Sequence, residues 1–340
     1  MKNILVTGGI GYIGSHTVVE LMNRGYNPII IDNLVNSDIE VIDRIEEITG
    51  KRPIFEEVEM CNYDELYNFF KKYPNIDAVI HFAAILLVNE SVDKPLMYYQ
   101  NNLFSMVNLL KCMQEFNINK IVFSSSCTVY GEPDTLPVDE YAPVMPAMSP
   151  YGNTKKICED ILKDTTAVSA IKTISLRYFN PIGAHESALI GEFQDGPPHH
   201  LIPYITETAS GKRAFLRVFG SDYNTHDGTC VRDYIHVVDV AIAHIAAIER
   251  LINNKTDAKY EVFNLGTGIG YSVLDMIKAF ETATGIKIKY ELVPRRAGDV
   301  EAVYADNSLA TKELNWKCIH SLEDMMLSAW NWEKALSVQP

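Results

Sequence analysis

The sequence has no apolar run near the ~20 residues that a helix needs to cross a bilayer, which excludes a helical membrane span. Basic charge is also scarce. The chain carries 30 Lys and Arg against 44 Asp and Glu, a formal net charge of −14, and no basic tract offsets it. A nucleic-acid partner is therefore not expected, and any anionic small ligand must be met by a few well-placed arginines. Closely spaced cysteines are missing too. Cys61, Cys112, Cys127, Cys158, Cys230 and Cys318 are widely spread, with no CxxC and no Cys/His cluster at zinc spacing. That usage fits reduced thiols in a cytosolic protein and predicts no metal site. There is no internal repeat, low-complexity stretch or Pro/Ser-rich linker. The opening "MKNILVTGG" passes from one lysine directly into an apolar run and a glycine turn, unlike a secretory leader, so the expected location is cytoplasmic.

Hydrophobic residues make up 47% of the 340 residues and charged ones 22%, as in an ordinary globular protein. Nearly continuous apolar runs at 4–7, 28–32, 54–58, 78–82, 120–124 and 171–177 read as parallel strands buried on both faces. Amphipathic stretches such as 12–24 and 97–116 fill the gaps as helices. This alternation predicts an α/β fold, a Rossmann-like doubly wound parallel sheet. From about residue 181 to 232 the rhythm breaks into Gly-, Pro-, His- and Asp-rich loops with short helices. Residues 234–265 look like a return to the sheet. Helices at 272–284, 308–314 and 321–336 and a strand at 287–293 belong to a smaller α/β lobe. The expected division is a nucleotide-binding domain over 1–180, joined by 234–265, and a substrate-binding lobe mainly within 181–340.

The segment "ILVTGGIGYIGSHTVVELMNRG" places Gly9, Gly11 and Gly14 in a G-x-G-x-x-G turn between the first strand and the first helix. Glycines there allow a tight turn, close approach of a pyrophosphate and close helix–sheet packing. The helix N-terminus offers free N–H groups to the phosphates. The second strand, "PIIID", ends in Asp32, which suits the two hydroxyls of an adenosine ribose and favours NAD over NADP.

The stretch "SPYGNTKK" reads locally as a helix start, with Ser149 as cap, Pro150 at the first position, and Tyr151 and Lys155 on one face. Taken alone it is an ordinary polar turn. Together with "TGGIGYIG" and "VFSSSCTVYG" it resembles the short-chain dehydrogenase/reductase group, in which a strand-end serine and a Tyr-x-x-x-Lys carry catalysis. The resemblance implies Tyr151 as the base, Ser126 as the hydroxyl holding the reacting oxygen, and Lys155 as the group that lowers the Tyr151 pKa and binds the nicotinamide ribose. A free tyrosine is only about one part in a thousand ionised at pH 7, and a shift of ~3 pKa units takes about 4 kcal/mol of preferential stabilisation.

Further strings narrow the likeness. "DNLVNS", "ESVDKPLMYYQNN", "FSSSCTVYGEP", "LRYFNPIGAH", "FGSDYNTHDGTCVRDYIHVVD", "NLGTG" and "PRRAGDVEAVYAD" resemble the UDP-glucose 4-epimerase family along essentially the whole chain. That resemblance implies a homodimer paired through two helices, NAD that stays bound, and reversible oxidation at carbon 4 of a UDP-hexose. The 4-keto sugar turns between the two hydride transfers.

The family also implies cofactor positions at Gly8, Gly9, Gly11, Tyr12, Ile13 and Gly14. Asp32, Asn33 and Asn36 follow from the second strand, and Glu59 and Met60 from the third. Phe82, Ala83, Leu86, Asn101 and Tyr178 complete the set with Ser126, Tyr151 and Lys155. Substrate positions are Asn180, His200, Leu201, Arg232, Arg296 and Asp299, with Phe219 near the uracil. Arginines suit the diphosphate because their planar fork pairs two phosphate oxygens.

Three departures from the family pattern stand out. Leu86 replaces a lysine that contacts the cofactor, His200 replaces an asparagine, and Val303 replaces the large tyrosine of many hexose-restricted members. The last suggests room for a 2-acetamido group, hence UDP-GlcNAc and UDP-GalNAc as further substrates. Other readings are a variant epimerase for another sugar, a sugar-nucleotide 4,6-dehydratase, and a non-catalytic NAD-binding protein. The dehydratase needs an Asp-Glu pair after the strand-end serine, where this chain has Cys127 and Thr128.

Overall fold

The structure is a computed structural model and describes residues 1–193, 196, 198–296 and 299–337. The chain opens with β1 (Asn3–Thr7), α1 (Tyr12–Asn23), β2 (Asn27–Asp32), α2 (Val41–Thr49), β3 (Ile54–Glu57), α3 (Tyr63–Lys72) and β4 (Ala78–His81). It continues through α4 (Val88–Asp93), α5 (Pro95–Glu115), β5 (Lys120–Ser126), a short 3₁₀ turn at Cys127–Tyr130, α6 (Pro150–Val168) and β6 (Lys172–Tyr178). Then come β7 (Asn180–Ile182), α7 (Leu201–Ala209), β8 (Leu216–Phe219), β9 (Val231–His236), α8 (Val237–Ile252) and β10 (Tyr260–Leu265). The last elements are β11 (Gly270–Ser272), α9 (Val273–Thr284), β12 (Tyr290–Val293), β13 (Ala302–Val303), α10 (Ser308–Leu314) and α11 (Leu322–Leu336).

Seven of these strands form one sheet in the order β10-β6-β5-β4-β1-β2-β3, with all neighbours parallel. The strand order reverses direction at β1, so the βα turns after β1 and β4 diverge and leave a crevice at the carboxyl edge. One apolar layer joins the sheet to α1, α2 and α8, and another joins it to α3, α5 and α6. This two-sided burial is why the central strands β1, β2 and β4 are apolar at most positions rather than alternately. A second sheet centres on β9, flanked by β11, β13 and β7, and β12 pairs with β8. Around them α7, α9 and α11 close a third core.

Several boundaries shift from the sequence reading, most by one or two residues, and two have a clear reason in the strand pairing. β5 runs on to Ser126, because pairing with β6 continues through Ser126↔Tyr178. The strand expected over 287–293 begins only at Tyr290, where pairing with Leu216 of β8 starts.

Candidate active site

The glycine turn is shaped by crowding. Gly8 has φ +67°, and a Cβ there would lie 2.7 Å from the Ala83 nitrogen. A Cβ on Gly14 would lie 2.2 Å from the Gly8 carbonyl oxygen, so only glycine lets α1 start this close to β1. Gly9 is similarly pressed against Ile30. Gly11 is the N-cap of α1, makes no side-chain cap and has no acid in the turn that follows. Its first N–H groups are thus left for a ligand, as a pyrophosphate cradle requires. Ile13 packs into the core beneath. The Tyr12 hydroxyl donates to the Gly183 carbonyl at 2.6 Å and so ties this turn to the segment after β7.

The other expected cofactor residues follow at the carboxyl ends of successive strands. Asp32 ends β2, and its Oδ1 accepts from the Leu34 N–H at 3.1 Å and the Ser37 hydroxyl at 2.7 Å. Burial raises its pKa, with those hydrogen bonds opposing the shift. Asn33 donates to Glu59 at 2.8 Å, and Asn36 borders a pocket with Gly11, Tyr12 and Ser15. Met60 is buried, and Asn108 donates to its carbonyl at 3.0 Å. The Phe82 and Ala83 N–H groups donate to the Thr7 carbonyl at 3.0 and 3.2 Å. Leu86 is 43% exposed, so an apolar side chain faces solvent where the family pattern has a cation. Asn101 donates to Asn102 at 3.0 Å. The uncapped α1 turn, the glycine-only contacts and the strand-end carboxylate fit a dinucleotide.

Ser126, Tyr151 and Lys155 meet where β5 faces the start of α6. Ser149 caps that helix, accepting from the Gly152 N–H at 3.1 Å, and Pro150 occupies its first position. Lys155 Nζ donates to the Ser124 carbonyl at 2.7 Å and lies 5.8 Å from the Tyr151 ring centre. Ser126 Oγ accepts from the Thr128 N–H at 3.2 Å and from the Thr128 hydroxyl at 3.0 Å. Burial lowers the Lys155 pKa to about 8. It pushes the Tyr151 phenol well up, and a hydrogen bond from Ser126 opposes this. The Tyr178 hydroxyl bonds to Ser124 behind this cluster.

The expected diphosphate residues also converge. Arg296 lays its fork on Asp299 at 3.1 and 3.2 Å and sits 5.0 Å from the Phe219 ring centre. Arg232 reaches the same carboxylate at 4.0 Å and donates to the Val231 carbonyl at 2.8 Å. Asn180 donates to the Asp233 carbonyl at 2.9 Å, which places it beside Arg232. His200 occupies the N-cap position of α7, just before Leu201, and its Nε2 lies 3.5 Å from a Glu192 carboxylate oxygen. Val303 pairs in register with Arg232. It is 8% exposed and belongs to an apolar cluster with Val129, Tyr130, Val138 and Phe179.

Two contributors escaped the sequence reading. Asn102 bonds both the N–H and the carbonyl of Ile85 and donates to the Thr154 hydroxyl at 3.0 Å. It thereby braces the Leu86 loop against α6; its only sequence signal is the second asparagine of "YYQNN". Asp233 receives Thr267, Gly268 and Ala305 backbone N–H groups at 2.8, 3.0 and 3.1 Å, which fixes three segments next to Arg232. Among the described residues, His226, Asp227 and Asp275 bring three donor atoms within 4.8 Å of one another. Thr229 and Ser272 already bond Asp227, and the α9 cap engages Asp275.

A glycine-turn sheet with a serine, tyrosine and lysine at its carboxyl edge defines an NAD-dependent enzyme of the extended short-chain dehydrogenase/reductase class. Residues 5–328 match the family described as GDP-mannose 4,6 dehydratase. A UDP-glucose 4-epimerase of Haemophilus influenzae is 51% identical over 97% of both chains. The crystal structure of UDP-glucose-4-epimerase from Stenotrophomonas maltophila, with bound NAD and formylated UDP-arabinopyranose, has a TM-score of 0.96 at 47% identity and 99% coverage of both chains. That of the enzyme from Bifidobacterium longum, in complex with NAD+ and UDP, has a TM-score of 0.92 at 47% identity and 98% coverage of both. The chain belongs to the UDP-glucose 4-epimerase family.

Proposed function

We propose that this protein interconverts UDP-glucose and UDP-galactose by transient oxidation at carbon 4, with NAD held throughout. The observation that carries the reading is the convergence of Ser126, Tyr151 and Lys155 at the edge of the sheet. Bound NAD supplies the hydride acceptor and a positively charged ring. Tyr151 takes the proton of the 4-hydroxyl and returns it, and Ser126 holds that oxygen. Burial alone favours the neutral phenol, so the Lys155 ammonium and the ligand's charge must offset it. Arg232 and Arg296 grip the diphosphate, leaving the 4-keto sugar to turn about it. Asp32 takes the adenosine ribose.

Residues 1–180 with 234–265 are assigned to the cofactor, and the rest of 181–340 mainly to the UDP-sugar. All six cysteines are free, which supports a cytoplasmic location. α5 packs on α6 and exposes Leu96, Met97 and Phe104, which supports a homodimer through those helices.

Incubation with UDP-galactose is expected to yield UDP-glucose without net NADH. NADH accumulating in step with sugar would indicate a dehydrogenase, and no epimer would defeat the proposal. N-acetylhexosamine substrates are proposed from the small side chain of Val303 beside Arg232. Val303→Tyr is expected to suppress UDP-GalNAc turnover at least tenfold while largely sparing UDP-galactose. Equal loss on both would sink that extension.

A further inference from the structure

We propose that Ser125 and Glu159 are a positioning pair for this reaction, holding the strand end that bears Ser126 in register with the helix that bears Tyr151; the proposal rests on the function proposed above. Ser125 lies between Ser124 and Ser126 on β5, and strand alternation turns its side chain to the opposite face. Its hydroxyl donates to Glu159 Oε1 at 2.5 Å. Glu159 follows Lys155 by four residues and Tyr151 by eight, so the three share one stripe of α6.

The carboxylate is fixed from its other side. Arg177 pairs opposite Ser125 in the β5–β6 register. It donates to Glu159 Oε1 from Nε at 2.9 Å and to Oε2 from Nη2 at 2.5 Å. Its Nη1 donates to the Tyr130 hydroxyl at 2.9 Å, and Tyr130 in turn donates to Asn264 at 2.7 Å. All five side chains are buried, so water does not compete for these bonds.

Behind the Ser126–Tyr151 contact itself, two side-chain bonds join α6 to β5: Lys155 to the Ser124 carbonyl, and Ser125 to Glu159. Arg177 ties Glu159 to β6, but without the Ser125 bond only Lys155 ties α6 to β5 behind the reacting residues, so the strand end bearing Ser126 gains freedom to shift against Tyr151. Tyr151 lies about 6 Å up the axis from Lys155, so a tilt of about 10° moves it by roughly 1 Å. Displacements of that size can cost on the order of a hundredfold in rate. The Ser125 bond separates positioning from stability well. Its loss leaves the Arg177–Glu159 pair intact and strands no buried charge.

The test compares the parent and Ser125→Ala holoenzymes on UDP-galactose. The expected result is a kcat about tenfold lower with KM within about twofold, near-parental thermal unfolding, and unmoved inflections in the pH profile, since no charge changes. Ser125→Cys keeps a weak donor and is expected to fall between the two. An unchanged kcat in Ser125→Ala, or a cysteine variant slower than the alanine one, overturns the proposal. If the alanine variant does not fold, a Ser125→Cys kcat equal to that of the parent overturns it. An inactive parent defeats the function itself, whereas an active parent with an unaffected alanine variant defeats only the positioning role.

Discussion

A lysine removed from water holds its proton less firmly, and Lys155 is buried between Phe123, Tyr151 and the Ser124 carbonyl. Its pKa falls to about 8, with the nearby Cys158 and Glu159 opposing the shift. Below that pH it is an ammonium that favours the Tyr151 phenolate; above it the charge and the benefit disappear. The kcat profile is therefore expected to fall on its alkaline side with an inflection near 8. Lys155→Met should lose that inflection together with at least a hundredfold of the rate, a range typical of acid–base assistance. A profile that stays flat to pH 10 in the parent would remove Lys155 from this role. The phosphate turn was legible from the short spacing of Gly9, Gly11 and Gly14, whereas Tyr151 and Lys155, one helical turn apart, read as an ordinary polar turn until the resemblance gave them roles. Asp299 as the shared partner of Arg232 and Arg296 was legible only through resemblance, because no local spacing relates residue 232 to residue 299.

At the scale of elements, β1, β2 and β4 were readable because burial on both faces favours nearly continuous apolar runs, and helix α6 because its cap and proline announce it. What joins the elements was not. α8 and the segment before α11 meet through Asp239, which accepts from His320 Nδ1 at 2.9 Å and from the Ile319 and His320 N–H groups. The His320 ring stacks on His236 at 4.1 Å, and Asp324 and Glu20 also face it. The Asp239 bond raises the His320 pKa above its usual value against the pull of burial. A raised folded-state pKa means that the bond's stabilisation is fully present below the unfolded value of about 6.5 and is lost as pH rises through the folded one. His320→Asn is therefore expected to lower Tm at pH 6 and to lower it less at pH 8.5. Equal losses at both values would show that the histidine's charge plays no part. Nothing in "NWKCIHSLEDM" identifies Asp239 as the partner, since their contact spans 81 residues of sequence.

For the whole molecule, the packing of α5 on α6 connects the chemistry to the proposed assembly. α6 carries Tyr151 and Lys155, α5 carries Asn101 and Asn102, and Asn102 bonds Thr154 across their contact. On its outer side α5 exposes Leu96, Met97 and Phe104, the last 54% exposed. A second copy laying the same face on this one would bury that apolar stripe in a two-fold bundle of four helices. It would also hold α5, and through Asn102 the start of α6, from outside the catalytic cleft. Phe104→Glu places a charge in that seam without touching Asn102 or Thr154. The expected result in sedimentation velocity is a parent at twice the mass of the chain and a variant at the mass of one chain, with unchanged far-UV circular dichroism. If the parent itself sediments as one chain, the paired arrangement is wrong. If the variant still sediments as two, the interface lies elsewhere on the molecule. A variant that is monomeric and folded but retains parental kcat would show that the catalytic helix needs no support from a partner.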